Sequence, residues 1–314
     1  GNPLKIPYII SEIGDHAFAN CQSLTSLNIE NSLTTKQQIK QYAFYYSSIE
    51  STLEIPKSVT EIGIKAFAFT KITSLTIQGS NYVTNKNGLP SGIDTTIDSD
   101  AFYSCKGLTT LKLGDGYIDF DSSSFKGCPL STVDLGQIKE IPNDAFYGIT
   151  TITTITIPET VETIGERAFA ECSKITAVNY ADNSRVDKIK DAAFYKCEQL
   201  SRTSIPTRVT DIAPYTYYKC TKLPLLTIPD EVTNIGQFAF YQCSGFSGNL
   251  KLPGELKNIF ESAFEGTGVS GNLILPDTLI KIDKKAFSAC KPLTGTLAFG
   301  RYIEEIGDYA FRDC

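Results

Sequence analysis

One short unit, a small residue followed by an aromatic ring, returns along this chain at an almost constant interval. That interval restricts the fold more than any other property. The rings are Phe18, Phe44, Phe67, Phe102, Phe125, Phe146, Phe169, Phe194, Tyr217, Phe240, Phe264, Phe287 and Phe311, and ten of the twelve gaps between them are 23 to 26 residues. A segment of that size has an apolar face it cannot bury alone, so copies must stack and share one core.

The rest of the period is equally ordered. Five residues before each ring stands an apolar residue, from Ile13 and Ile39 through to Ile282 and Ile306. Eleven before it stands proline at Pro7, Pro56, Pro158, Pro206, Pro229, Pro253 and Pro276, which places seven of the fourteen prolines in one phase. A Leu-x-x-Leu-x-Ile pattern lies downstream of the ring, as in Leu24, Leu27 and Ile29. Its alternation of apolar residues with Thr and Ser predicts a half-buried strand. Proline ends the strand because it has no N–H to donate. A second extended piece should follow, then a tight bend at Gly14, Gly63, Gly165, Gly236 and Gly307, then a compact helical turn carrying Ala-Phe. The fold class predicted is α/β, dominated by β: a solenoid of about thirteen coils with stacked parallel sheets and short helical turns. One solenoid over 1–314 is expected, with its longest insertion at about 78–96.

The repeat Ile-Pro-x-x-Val-x-x-Ile-Gly-x-x-Ala-Phe-x-x-Cys resembles the BspA-like class of leucine-rich repeats. The segments from Ile157 to Cys172 and from Ile228 to Cys243 follow it almost residue for residue. The resemblance implies a right-handed leucine-rich-repeat solenoid from an exported, surface-attached bacterial protein that takes part in adhesion. It carries no catalytic residues to this chain. Coil nine departs from the pattern, with Thr216 and Tyr217 in place of Ala-Phe, and a phenol in that slot needs a partner or a route to water.

All nine cysteines stand three residues after a repeat ring, where other coils have Ser47, Thr70, Ile149 or Thr267. A slot that accepts Cys, Ser, Thr and Ile is a small buried slot, so free, shielded thiols are expected instead of disulfides. With no Cys-x-x-Cys and a single histidine, His16, zinc has no ligand set, and no metal or other cofactor is expected. The net charge of -6 offers no basic footprint for nucleic acid, and no apolar run is long enough to span a bilayer. The chain opens Gly-Asn-Pro without a visible signal sequence, so a secretory segment is expected to have preceded it. An extracellular or cell-surface location follows from the resemblance.

Several fragments imitate catalytic or ligand motifs. Gly266, Gly268 and Gly271 spell G-x-G-x-x-G, but the string precedes a strand instead of following one and opening a helix. Asp115, Asp119 and Asp121 lack the glycine and closing glutamate of a calcium loop. No convergent titratable set is visible, so an enzyme is not expected. The candidate contacts are of three kinds. Tyr195, Tyr218 and Tyr241 each follow a repeat ring on consecutive coils and should stack as a ridge. Thr154, Thr156 and Asn179 face outward from strands. Tyr82 sits in the long insertion, where solenoids often carry binding elements. The expected function is a non-catalytic surface module that binds a host or microbial protein or glycan; the alternative is a spacer holding another domain off the cell. The sequence leaves the oligomeric state open.

Overall fold

The structure is a computed structural model that describes residues 3–79, 95–116 and 118–314. The chain forms two compact units, Gly1–Ile152 and Thr153–Cys314.

In the first unit the Leu-x-Ile segments form a four-stranded parallel sheet from Thr52–Ile55, Ser74–Ile77, Thr110–Leu113 and Thr132–Asp134. Leu4–Ile6 pairs in parallel with Leu27–Ile29. The register sets Leu53 beside Leu75 and Leu75 beside Leu111, all three fully buried. The second extended piece of each coil builds a separate five-stranded parallel sheet, in which Ile13, Ile39, Ile62, Ile97 and Phe120 stand in one column. In the second unit, Thr154–Ile157 pairs with Ala177–Tyr180. Its five-stranded sheet aligns Ile212, Ile235, Ile259, Ile282 and Ile306. In the second unit a period of 23 to 25 residues returns the same residue to the same place in the next coil. Each strand therefore meets its own copy in register.

The expected helical turn is not there: no α-helix occurs among the described residues. The segment around each ring is a chain of tight turns. At the third coil Ala66, Ala68 and Thr70 donate their N–H groups to the carbonyls of Gly63, Lys65 and Phe67, three residues back. The intervening Lys65, Phe67 and Phe69 donate instead to Ser99, Ala101 and Tyr103 of the next coil. Alternate amides thus point along the stack, which a helix, with every amide on its own i−4 carbonyl, cannot do. At every ring but Phe125, where Ser123 is not left-handed, the backbone is left-handed two residues before and two after. Every non-glycine residue with positive φ among the described residues lies at one of those two positions, from His16 (56°) and Asn20 (60°) to Tyr309 (60°) and Asp313 (59°). Such backbone costs roughly 1–2 kcal/mol per L-residue. Inter-coil hydrogen bonds, each worth about 1 kcal/mol net, offset it.

The rings line up inside each unit. Phe18, Phe44, Phe67, Phe102 and Phe125 stack at 5.0–5.6 Å between centroids. Phe169, Phe194, Tyr217, Phe240, Phe264, Phe287 and Phe311 stack at 5.1–5.6 Å. Tyr217 keeps the geometry of the column, but its hydroxyl has neither water nor a partner: it is fully buried and makes no hydrogen bond. The repeat glycines also differ from expectation. Gly63, Gly236 and Gly307 are not at positive φ; a Cβ there would sit 2.5–2.7 Å from a backbone nitrogen of the preceding coil. Close approach of two coils, and not a positive φ, crowds these three positions, although other coils hold Lys40, Asp98 and Phe260 at the same phase.

Candidate binding surface

In the second unit the residue after the repeat ring emerges from the turn at the coil surface. Tyr195, Tyr218 and Tyr241 occupy it on consecutive coils, half-buried. Their rings stack face to face, Tyr195 on Tyr218 at 4.8 Å and 12°, Tyr218 on Tyr241 at 4.9 Å and 8°. Left-handed backbone at the position two before the repeat ring turns a second column onto the first. Tyr215 stacks on Phe238 at 5.1 Å, Tyr215 lies 5.8 Å from Tyr218, and Phe238 meets Tyr241 edge-on at 5.5 Å. Five rings thus form one continuous surface, of which the residue pattern around the repeat aromatic revealed only three. Tyr215 and Phe238 share a phase of the repeat, but only the left-handed turn, which the sequence does not announce, brings them alongside.

Cations border the ladder. Lys196 Nζ lies 5.0 Å from the Tyr195 ring centre and Lys219 Nζ 5.5 Å from that of Tyr218, within the range where a ring face attracts a cation. Lys196 also pairs with Glu171 at 3.2 Å, and that hydrogen bond, then the neighbouring tyrosine, raises its pKa. Burial first, then neighbouring Tyr195 for Tyr218 and Glu265 for Tyr241, raises both phenol pKa values. Tyr218 and Tyr241 therefore present neutral hydroxyls, each able to donate and accept.

The strand candidates occupy a different segment of the coil. Thr154, Thr156 and Asn179 are exposed, and Thr156 stands beside Asn179 in the parallel register, while Thr154 stands beside Ala177. Other hydroxyls just before the strands are already engaged with backbone: Thr176 Oγ1 donates to the Thr153 carbonyl at 3.0 Å, and Ser201 Oγ to that of Thr176 at 3.3 Å. Tyr82 and most of the insertion expected at 78–96 lie outside the described residues.

The remaining fragments assemble nothing. His16 is exposed and stacks on Tyr42 at 4.8 Å. Asp115 pairs with Lys57 at 3.1 Å, and Asp121 accepts the N–H and hydroxyl of Ser123. No group of three or more His, Cys, Asp or Glu among the described residues could hold a metal ion. None of the nine cysteines is in a disulfide. Three thiols of consecutive coils donate to the carbonyl of the ring residue one coil back, Cys197 to Phe169, Cys220 to Phe194 and Cys243 to Tyr217, at 3.1–3.2 Å. Burial pushes all three thiol pKa values up.

Parallel coils that stack their repeat rings and short strands in register, with a residue pattern of Leu-x-x-Leu-x-Ile, define a leucine-rich-repeat solenoid. The BspA type leucine rich repeat region matches residues 2–87, 85–186 and 187–314 in six copies. The chain belongs to that family. Among solved structures it is similar to a leucine-rich repeat protein from Bacteroides ovatus, with 21% identity over 99% of this chain and 76% of that one and a TM-score of 0.58. It is also similar to the T. pallidum Leucine Rich Repeat protein, with 25% identity over 54% of this chain and 66% of that one and a TM-score of 0.40. The pneumococcal vaccine antigen PcpA shares 20% identity over 95% of this chain and 72% of that one, with a TM-score of 0.49. The chain thus spans just under two thirds of the T. pallidum protein. No curated protein matches it in sequence. The Bacteroides likeness supports the fold alone. No helix among the described residues is long and apolar enough to cross a membrane.

Proposed function

We propose that this chain is a non-catalytic interaction module, displayed outside the cell or on its surface, that binds a host or microbial protein or glycan through its repeat surface. The observation that carries this reading is the five-ring surface of Tyr195, Tyr218, Tyr241, Tyr215 and Phe238, where neighbouring rings lie 4.8–5.8 Å apart. Rings that stack on one another are already ordered, so a partner that covers them loses little side-chain entropy on binding. Tyrosine supplies apolar area together with a hydroxyl, the combination that dominates interface energetics. Thr156 and Asn179 are the candidate polar contacts from the strand face, and Thr154 lies beside them.

The test is surface plasmon resonance against a panel of extracellular-matrix proteins and immobilised glycans, comparing the chain with the triple variant Tyr195→Ala, Tyr218→Ala, Tyr241→Ala. A partner held by the parent chain should lose at least about tenfold in affinity, the equivalent of ~1.4 kcal/mol. Equal binding by the variant removes the ridge from the interface. A panel in which nothing binds favours the spacer.

A further inference from the structure

A recess in the first unit, formed where four coils meet, has the chemistry of a binding site for an acidic sugar. It encloses about 310 Å³, at the lower end of the few-hundred-Å³ range of small-ligand sites. Tyr46 and Phe69 stand at its edge, Ser47 and Ser104 line it, and Lys71 and Lys106 provide its charge.

The two rings are the least expected residues in it. Both lie two positions after a repeat phenylalanine, where the backbone is left-handed, at φ 56° and 62°. At every other coil that position holds glycine, alanine or a polar residue. Left-handed backbone there belongs to the repeat itself, and Tyr42, Tyr215, Phe238 and Tyr309 adopt it at the position two before the ring. Tyr46 and Phe69 take it on adjacent coils while keeping 52% and 37% of their surface in solvent. Their centroids are 5.9 Å apart. Contacts with Tyr45 at 6.2 and 5.7 Å and of Phe69 with Tyr103 at 5.4 Å fix them in place.

The polar side of the recess is incompletely used. Ser47, 2% exposed, has a hydroxyl without a hydrogen-bond partner. It stands in the slot where other coils have a thiol bonded to the preceding coil. Lys71 and Lys106 form no ion pair among the described residues; Lys106 Nζ reaches only the Gly127 carbonyl, at 3.2 Å. Much of the backbone, by contrast, is engaged: the amides of Tyr46, Phe69, Lys71 and Ser104 donate to Ala68, Tyr103, Ile49 and Lys126. An extended peptide would need those groups for affinity. A sugar needs an apolar ring face for its C–H surface, and the exposed parts of Tyr46 and Phe69 offer one.

We propose that this recess binds a saccharide bearing a carboxylate or sulfate, its ring packed on Tyr46 and Phe69 and its anionic group between Lys71 and Lys106. The inference stands apart from the tyrosine ladder of the second unit. The test is calorimetric titration of the full chain with a hyaluronan oligosaccharide, a sulfated dextran oligosaccharide, neutral dextran and a poly-glutamate peptide. Tighter binding of either acidic saccharide than of neutral dextran or poly-glutamate supports the site, and the better of the two identifies the anionic group. The double variant Tyr46→Gly, Phe69→Gly removes the rings and leaves glycine, which is relaxed at positive φ, so the fold is kept. It should weaken binding at least about tenfold. The double variant Lys71→Gln, Lys106→Gln should weaken it too and flatten its dependence on salt. Binding within twofold of the parent in both variants, equal affinity for neutral dextran, or a preference for poly-glutamate would overturn the proposal.

Discussion

Replacing Tyr217 by phenylalanine should make the protein more stable, an uncommon direction for a change at a fully buried residue. The ring stacks 5.5 Å from Phe194 on one side and from Phe240 on the other, at interplanar angles of 8° and 5°, so a phenylalanine fits the column without repacking. Only the hydroxyl is lost, and it is buried without a partner. Burial also pushes its pKa far above the ordinary phenol value. In the unfolded chain the same hydroxyl is hydrated. Folding therefore loses roughly 1–3 kcal/mol at this atom with nothing to offset it. Tyr217→Phe should recover about that amount. For a unit of this length, each kcal/mol raises the melting temperature by about 2–4 °C. The converse change, Phe240→Tyr, should lose a similar amount because it buries a second hydroxyl in the same column. Urea and thermal unfolding of the full chain followed by circular dichroism measures both. A Tyr217→Phe variant that is equal to or weaker than the parent would refute the reasoning, because the hydroxyl would then have a partner worth keeping.

Three further outcomes follow from the stacking. Gly236→Ala should destabilise by about 1–3 kcal/mol, since its Cβ would stand 2.6 Å from the Pro214 nitrogen, whereas Gly254→Ala, with open space around it, should change stability little; urea midpoints compare the pair. At Ala289, where φ is 57°, valine should cost about 1–3 kcal/mol and glycine almost nothing, the opposite of what a helix would show, and the same urea measurement separates the two. Stability should also fall in mild alkali. Burial holds Cys290 up to about 11 against an ordinary 9.0 and raises Cys197, Cys220 and Cys243 as well. Below the unfolded pKa both states keep their protons and the full stability is present. Above it the unfolded chain ionises first, so stability declines by about 1.4 kcal/mol per pH unit for each such thiol until the folded pKa is reached. Urea titrations between about pH 8 and pH 10 test this, and a flat profile would contradict the shielded ladder.

The proposed ladder was only half legible in the residue pattern. Tyr195, Tyr218 and Tyr241 share a phase of the repeat, and stacking followed from the period. Tyr215 and Phe238 were missed because their contact with that row depends on a change of backbone hand at one residue. Lys65, Phe69, Arg167 and Tyr215 all adopt that left-handed state although none of them favours it, so composition gives no sign of it. The recess at Tyr46 and Phe69 was hidden for the same reason. The helical turn expected at Ala-Phe failed here too: short-range pattern favours i→i−4 bonding, but a neighbouring coil offers carbonyls to every second amide, and those bonds exist only once the coils have stacked.

Period and residue type alone determined which side chains lie inside, because a repeat whose gaps are mostly 23 to 26 residues brings like onto like, and apolar burial rewards that match at every coil. They also determined that the thiols are spaced along one line. Tertiary structure decided the hand of the backbone around each ring, the close approach of coils at Gly63, Gly236 and Gly307, and the side-by-side meeting of separate phases of the repeat at the surface. Those features rest on distances between coils, and a linear sequence carries no distance between residues that only folding makes neighbours.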